Sequence, residues 1–373
     1  MVAIAWLSSR ILVWAFVMVG HLRLQTMPPP SDKEGAWIGV SSFWLNPWTT
    51  FDSRYLIQIA QSGYTGTRDA AFFPLFPLIL RALGGSGADS NTMAVLGIIV
   101  SNLAFLGALW LLFVMTRDEW GEKVAKRAVW IEAFFPAAAF SAAVYTESLF
   151  LLLSIGFFYA ARRQRWWLSA PLGFMAGLTR NSGHILCLAL LLDRPKAPLT
   201  RADGRARALC ALCPLLALVM VQLFLQKQVG GSSLSVQKEF GRALTFPLLP
   251  IWLDLRHLVV VPSTWSDFVT APMVMSCLIT FILLWIYRSR FSMGKLLFIG
   301  LVLLSNLTLS WQSEPHTNST LRFLLGTFPA AQLFALVSVE KLPSRRATMY
   351  LAAAGFALFF LQSYLFGLKD FLG

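Results

Sequence analysis

The chain has 373 residues, of which 57% are hydrophobic and only 13% are charged, and its mean hydropathy is +0.64. Soluble domains usually carry about twice that fraction of charged residues, so the composition excludes a water-soluble fold. The net charge of +13 does not indicate nucleic-acid binding, because the basic residues stand in short runs between apolar segments, where they orient a membrane protein during insertion.

Apolar segments of bilayer-spanning length occur from one end of the chain to the other, and they predict an all-α polytopic membrane protein with a single transmembrane domain over residues 1–373. Met1 to Leu22 lacks the basic start and the cleavage site of a signal peptide, so it is predicted to be the first span. Arg10 within it is expected near the cytoplasmic edge or facing the bundle interior. We predict about eleven spans. Their approximate bounds are 3–22, 91–116, 129–145, 147–161, 166–179, 183–192, 208–226, 270–287, 296–311, 323–340 and 347–366.

The distribution of Lys and Arg between these segments predicts the orientation in the membrane. With the N-terminus in the cytoplasm, the inside segments hold 18 of the 31 Lys and Arg residues, as the positive-inside rule requires. These segments are 117–128, 162–165, 193–207, 288–295 and 341–346. Two long loops, 23–90 and 227–269, then lie outside the cytoplasm, and loops of this length are usually functional. The apolar segments 147–161, 166–179 and 183–192 are short for straight spans, so we expect some of them to be re-entrant.

The first outside loop contains FDSRYLIQIAQSGY, which begins at Phe51 and predicts an amphipathic helix on the membrane surface. The residues on its apolar face are Tyr55, Leu56, Ile59 and Ala60. Asp52 stands at the start of this helix. One interpretation is that it only caps the helix, because an aspartate there accepts a backbone N–H and its negative charge is favoured by the helix dipole. Capping and a chemical role are compatible.

The next apolar segment, AFFPLFPLILR over residues 71–81, is too short to span and contains two prolines, so we expect an interfacial or partly inserted segment. Its aromatic residues Phe72, Phe73 and Phe76 are interpreted as lipid anchors of the loop. The alternative is that they line a groove for a lipid tail.

Three further polar clusters interrupt the apolar segments. Glu147 is a lone carboxylate at a predicted outer turn, where either ordinary solvation or a function explains it. Arg180 and Asn181 lie at another outer tip, and an arginine there suits a phosphate. Arg322 opens a late helix, either as a phosphate ligand or as a residue that snorkels to the interface. His316 is interpreted as a loop residue rather than a base or ligand, because no other His or Cys is placed to join it.

The four cysteines, Cys187, Cys210, Cys213 and Cys277, all lie in apolar segments. Cys210 and Cys213 form a CxxC pair, but no second pair or nearby histidine completes a metal set. We therefore interpret all four as small core residues, and we predict no essential metal and no cofactor.

In chain order, FDSRYLIQIAQSGY, AFFPLFPLILRAL, FSAAVYTESLFLLLS, GLTRNSGHIL and STLRFLLGTFPA resemble the motifs of the GPI mannosyltransferase II family (PIG-V-like). They lie along residues 51–83, 140–183 and 319–330. The resemblance implies a GT-C glycosyltransferase, a multi-span helix bundle that takes mannose from a polyprenyl- or dolichyl-phosphate carrier on the non-cytoplasmic side. Phe51 stands where the family usually has tryptophan, so an indole N–H is lost. The chain is also much shorter than eukaryotic members, so we expect a prokaryotic relative in the plasma membrane whose acceptor need not be a GPI precursor.

In such an enzyme Asp52 is predicted to be the general base, a role implied by the resemblance because GT-C enzymes place a catalytic acid in the first outside loop. Arg180 and Arg322 are the candidate phosphate ligands. The resemblance also implies inversion at C1, from a β-linked donor to an α-linked product. The predicted substrate-binding residues are Arg54, Tyr55, Tyr145, Glu147, Arg180, Asn181, His316 and Arg322. The expected partners are the lipid-phosphate sugar, a glycolipid or glycan acceptor, and membrane lipids.

A lipid or solute transporter or flippase is the main alternative, since short helices and intramembrane charges also build translocation paths. The sequence contains no repeat that relates its two halves, which argues against this class. A non-catalytic membrane subunit is the other alternative. Both alternatives predict that Asp52 can be replaced without loss of product.

Overall fold

The computed structural model describes residues 1–26, 40–193, 198–260, 267–313, 315–341 and 345–369. These residues form fifteen α-helices, several short 3₁₀ turns and two short strands. The first helices are α1 (Val2–Leu24), α2 (Asp52–Ser62), α3 (Leu75–Gly84), α4 (Ser90–Trp120), α5 (Glu122–Ala133), α6 (Glu147–Arg162), α7 (Trp166–Thr179) and α8 (Ile185–Leu192). They are followed by α9 (Arg201–Val229), β1 (Arg242–Leu244), α10 (Leu249–Val260), α11 (Asp267–Ile286), α12 (Met293–Thr308), β2 (Leu309–Trp311), α13 (Thr320–Leu325), α14 (Phe328–Glu340) and α15 (Arg345–Gly367).

Four helices are long and apolar enough to cross a membrane: α1, α4, α9 and the Thr348–Gly367 part of α15. Several shorter apolar helices lie between them, including α3, α12 and α14. The predicted fold class, a helical polytopic membrane protein, is confirmed, while the count of eleven spans stays a prediction. The single transmembrane domain and the two outside loops also stay predictions.

The chain folds into two compact units. The first contains α1 to α5, the beginning of α6, most of α14, and α15. Here α1 and α15 cross at Gly20 and Gly367, where an added Cβ atom would overlap the carbonyl oxygens of Tyr364 and Val17 respectively. Small residues let helices pack this closely in a membrane, where van der Waals contacts drive their association.

The second unit contains most of α6, α7 to α13, and the strands. Gly173 and Gly177 of α7 face α9, and a Cβ atom on Gly177 would lie 2.7 Å from the Cβ atom of Ala217. The turn after α7 folds back on that helix, because a Cβ atom on Gly183 would lie 2.6 Å from the carbonyl oxygen of Ala176. These close contacts fix the turn that begins at Arg180.

Two short paired strands, which are separated in the chain by α10 to α12, also lie in the second unit. β1 and β2 are antiparallel, with Ala243 opposite Ser310. Next to them, Ile251 of α10, Val274 and Cys277 of α11 and Leu307 of α12 form a small buried cluster. The 227–269 segment thus contains ordered structure where the sequence predicts only a loop.

Two predicted spans differ from the observed helices. The 129–145 span is wrong as a single helix, because α5 ends at Ala133 and the chain continues as turns to the start of α6. Pro136 explains the break, since proline lacks the N–H for a helix hydrogen bond and disfavours helical backbone at the residue before it. The 323–340 span is interrupted at Gly326 and Thr327, between α13 and α14.

The cysteines behave as core residues. All four thiols are free, and Cys187, Cys210 and Cys277 are buried. This agrees with the interpretation of these three as small core residues, whereas Cys213 is only partly buried.

Candidate functional site

Asp52 is the first residue of α2, and Phe51 occupies the N-cap position. The interpretation of Asp52 as the N-cap is therefore wrong by one position. Its partly exposed carboxylate belongs to the first helical turn, where the helix dipole still favours negative charge. Phe51 has φ 55° and ψ −118°, a backbone conformation that residues with a side chain rarely adopt. The chain thus turns sharply immediately before Asp52.

Tyr145 packs against this turn. Its hydroxyl accepts a hydrogen bond from the Asp52 backbone N–H at 3.3 Å and donates one to the Thr50 carbonyl at 3.2 Å. The Tyr145 side chain is 0% exposed, which differs from the direct substrate contact predicted for it.

Arg54 and Tyr55, which are consecutive in the chain, also contact each other through their side chains. The Arg54 guanidinium donates from Nη2 to the Tyr55 hydroxyl at 3.1 Å and lies 4.8 Å from the centre of the ring. The Tyr55 ring in turn stacks on Phe72 at 4.6 Å. The predicted apolar face of α2 is confirmed, since its four residues are all buried.

The aromatic segment after α2 packs into the protein. Phe73 and Phe76 are buried, so their interpretation as lipid anchors is wrong. Phe72 remains partly exposed beside Tyr55. The sequence could not distinguish these cases, because an aromatic side chain suits a membrane interface and a protein core equally well.

Glu147 begins α6 and is only 1% exposed. Ordinary solvation therefore does not account for this carboxylate.

Next to Glu147, Ser148 donates to the Ser141 carbonyl at 2.8 Å, and the Ser141 hydroxyl accepts a hydrogen bond from Arg10 Nη1 at 3.1 Å. Arg10 is buried over the Phe105 ring, at 4.5 Å from its centre. It faces the helix bundle, as one of its two predicted alternatives requires.

In the second unit, two arginines face the ring of Phe323. The guanidinium carbons of Arg180 and Arg242 lie 5.6 Å and 5.9 Å from the ring centre. Arg242 also lies 5.0 Å from the Trp311 ring centre and donates to Asn306 Oδ1 at 3.1 Å. We call Arg180, Arg242, Trp311 and Phe323 the Phe323 cluster.

Arg322 immediately precedes Phe323 in α13 and is partly exposed. Of the two predicted phosphate ligands, Arg180 lies at the Phe323 ring, whereas Arg322 is its neighbour in the sequence. Asn181, predicted with them, is exposed. Arg242 was not predicted, and the only sequence signal for it was its place in the long 227–269 segment.

Asp254 of α10 is a second residue that the sequence did not reveal. Its carboxylate is fully buried and accepts hydrogen bonds from the His316 N–H at 2.8 Å, the Thr317 N–H at 2.8 Å and the Thr317 hydroxyl at 2.6 Å. The imidazole Nδ1 of His316 lies 2.9 Å from the Trp311 carbonyl. This agrees with the interpretation of His316 as a loop residue. Asp254 therefore ties down the loop that leads into α13 and Arg322.

The predicted site residues fall into two groups. Asp52, Arg54, Tyr55, Tyr145 and Glu147 belong to the first unit. Arg180, Asn181, His316 and Arg322 belong to the second. Within the described ranges, no three His, Cys, Asp or Glu residues form a group that could hold a metal ion. Asp52 and Glu147 of the first group carry carboxylates, which suit proton acceptance. Arg180 and Arg322 of the second group carry guanidinium groups, which suit phosphate binding.

Comparison with known proteins points to one family. Residues 26–199 match the family model described as "Mannosyltransferase (PIG-V)". GPI mannosyltransferase 2 of Drosophila melanogaster is 27% identical over 165 residues, which cover 40% of this chain and 37% of that protein. GPI alpha-1,6-mannosyltransferase 2 of Rattus norvegicus is 27% identical over 206 residues, which cover 52% of this chain and 39% of that protein. The matches thus span about two fifths of the length of these relatives.

Solved structures give weaker similarities. The apo oligosaccharyltransferase of Archaeoglobus fulgidus has a TM-score of 0.45 at 12% identity, covering 97% of this chain and 56% of that chain. The oligosaccharyltransferase AglB of Archaeoglobus fulgidus, in complex with an inhibitory peptide and a dolichol-phosphate, has a TM-score of 0.49 at 10% identity, covering 99% and 56%. Both TM-scores lie below 0.5, so these two similarities support no conclusion about this chain.

The family model covers the segment that carries the motifs from Asp52 to Arg180. The family model confirms the resemblance stated from those motifs, and the chain is similar to the PIG-V-like GPI mannosyltransferase II family over that segment.

Proposed function

We propose that this protein is a GT-C-type membrane mannosyltransferase that transfers mannose from a polyprenyl-phosphate carrier, such as dolichyl phosphate, to a glycolipid or glycan. The observation that carries the proposal is the family match over residues 26–199, which contains both the proposed base Asp52 and the basic residue Arg180. The helical, apolar architecture supports it, because a lipid-linked donor is delivered from the bilayer.

In the proposed reaction, Asp52 accepts the proton of the acceptor hydroxyl as its oxygen attacks C1 of the mannose. The bond from C1 to the carrier phosphate breaks, and its electron pair leaves with the phosphate. Attack from the face opposite the phosphate inverts C1, so a β-linked donor gives an α-linked product. The partial exposure of Asp52 supports this role, because a general base must reach its substrate.

The departing phosphate gains negative charge, which guanidinium groups stabilise with paired N–H donors. We assign this role to Arg180 and Arg322, and Arg242 joins them on the basis of the Phe323 cluster. The proposed reaction requires no essential metal and no cofactor, because the lipid-phosphate sugar is already activated and the proposed guanidinium groups would stabilise the departing phosphate.

The proposal places the active site on the extracytoplasmic side, where the Lys and Arg distribution puts the 23–90 segment. This is the outer face of the plasma membrane in a prokaryote, or the lumenal face of the endoplasmic reticulum in a eukaryote.

The test is to incubate the purified protein with synthetic polyprenyl-phosphate mannose and a panel of glycolipids, and to detect products by mass spectrometry. Transfer of one hexose to at least one acceptor, with release of polyprenyl phosphate, is expected. Movement of the labelled donor across a vesicle membrane without any product would contradict the proposal and favour a flippase.

A further inference from the structure

We propose that Tyr145 is a positioning residue for Asp52, which holds the backbone turn at Phe51 and thereby the direction of the Asp52 carboxylate. The inference rests on the proposed function, in which Asp52 is the general base. It assigns Tyr145 a role through the backbone, in place of the substrate contact that its full burial opposes.

The turn needs an external restraint. Phe51 has φ 55° and ψ −118°, and it carries a large side chain rather than the hydrogen of glycine. Such a conformation persists only where surrounding contacts enforce it. Without them, rotation about Phe51 relieves the strain and reorients the first turn of α2, which begins with Asp52.

The Tyr145 hydroxyl supplies this restraint from both sides of Phe51. It donates to the carbonyl of Thr50 at 3.2 Å and accepts the N–H of Asp52 at 3.3 Å. One hydroxyl therefore connects the residue before the strained position to the residue after it.

Tyr145 is itself held firmly in the first unit. Its carbonyl accepts a hydrogen bond from the Ser101 hydroxyl at 3.2 Å, and the preceding N–H, of Val144, donates to the Trp48 carbonyl at 3.1 Å. Its ring meets Phe140 edge-on at 5.2 Å between ring centres. The segment that carries Tyr145 is thus bonded to the same 48–52 stretch that it restrains.

Such a residue affects the chemical step more than donor binding. A base that is misplaced by about 1 Å can lower a rate by about a hundredfold. Donor binding, assigned above to arginines of the second unit, does not depend on the orientation of Asp52. Loss of the hydroxyl should therefore lower kcat and leave the donor KM nearly unchanged.

The experiment replaces Tyr145 by Phe, which deletes both hydrogen bonds and keeps the ring. The expected kcat is about 10 to 100 times lower, with the donor KM within about a factor of two of the parent value. Tyr287→Phe is the matched control, because Tyr287 is also buried but lies in the second unit. It should leave kcat unchanged. A Tyr145→Phe protein with parental kcat, or with an increased KM alone, overturns the proposal.

A second substitution tests the strain directly. Glycine adopts positive φ at little cost, so Phe51→Gly removes the backbone strain at the turn that Tyr145 is proposed to hold in place. In the Phe51→Gly background, Tyr145→Phe should lower kcat by only about threefold or less, so the two changes are coupled. An equal loss in both backgrounds contradicts the restraint of Phe51.

Two further variants keep every outcome informative. If Tyr145→Phe does not fold, 4-aminophenylalanine at position 145 retains a donor to Thr50 but is a poor acceptor for the Asp52 N–H, so kcat should still fall. A folded protein with parental kcat then overturns the inference. Asp52→Asn is assayed in parallel. If Asp52→Asn turns over at the parental rate, Asp52 is not the base, and both the proposed mechanism and this inference are wrong. If Asp52→Asn is inactive while Tyr145→Phe is fully active, only this inference is wrong.

Discussion

Among the individual residues, Arg180 and Arg242 come from distant parts of the chain and face the ring of Phe323. An aromatic ring contacts the flat face of a guanidinium group, whereas phosphate oxygens accept hydrogen bonds from the N–H groups at the edge of the guanidinium. The two interactions are compatible, so stacking on Phe323 can orient a guanidinium that also binds phosphate. Arg322 directly precedes Phe323 in the sequence of α13.

The first prediction concerns these arginines. Arg322→Lys and Arg180→Lys keep the positive charge but lose the planar pair of donors, so each should raise the donor KM about tenfold with little loss of folded protein. Arg288→Lys is the matched control, because Arg288 also lies over an aromatic ring, 4.2 Å from that of Trp285, in a predicted cytoplasmic segment. Unchanged donor KM in both test variants would show that other groups bind the phosphate.

The sequence predicted Asp52, Arg180 and Arg322 because each interrupts or opens an apolar segment within a recognisable motif. Arg242 and Asp254 could not be predicted in this way. Their roles depend on contacts with Phe323 and with Thr317, which lie more than fifty residues away in the chain and are adjacent only after folding. The role of Tyr145 as a site residue stays a prediction, and the sequence gives no measure of its burial at a turn.

At the element scale, close helix crossings determine how the bundle packs. The second prediction is that Gly20→Ala destabilises the protein by about 1 to 3 kcal/mol, because the new methyl group meets the backbone of α15, which cannot move away as a flexible side chain can. Gly355→Ala in α15 is the matched control, since a Cβ atom there meets no heavy atom within 4 Å. Thermal unfolding in detergent should show a lower midpoint for Gly20→Ala alone, and equal midpoints would contradict the crossing.

The third prediction concerns the loop between β2 and α13. Asp254→Asn replaces one acceptor oxygen by an amide that faces N–H donors, so it should cost about 1 to 3 kcal/mol of stability. It should also raise the donor KM, because Arg322 follows this loop. Thr317→Ser keeps the hydroxyl that bonds to Asp254 and should behave nearly as the parent. The measurements are the thermal midpoint and the donor KM. If both are the same in Asp254→Asn as in the parent protein, the loop is held in place without the carboxylate.

Apolar length predicted the long helices α1, α4, α9 and α15 well, because each contains a long window of high mean hydropathy with few charged residues. Apolar length failed at residues 134–146, where the chain forms turns instead of the predicted helix. Pro136 lies in this stretch, and the buried Ser141 hydroxyl donates to the Ala138 carbonyl. It also gave no sign of β1 and β2, since strands of three residues leave no periodic pattern.

At the scale of the whole molecule, the distribution of positive charge is the feature that sets orientation. The fourth prediction follows from it: a cysteine at the exposed position Ser62 should react with a membrane-impermeant reagent supplied from outside the cytoplasm. Ser289→Cys is the matched control, because Ser289 is equally exposed and lies in a predicted cytoplasmic segment. It should react only from the cytoplasmic side, and the reverse pattern would overturn both the topology and the proposed side of catalysis.

The central claim is that this protein transfers mannose and that Asp52 is the base. The measurement that tests it most directly compares the turnover of the parent and Asp52→Asn with the same lipid-phosphate mannose donor and acceptor. Asparagine keeps the size and shape of aspartate but cannot accept the proton, so turnover should fall at least about a hundredfold while the thermal midpoint stays near that of the parent. A folded Asp52→Asn protein that transfers mannose at the parental rate would contradict the account.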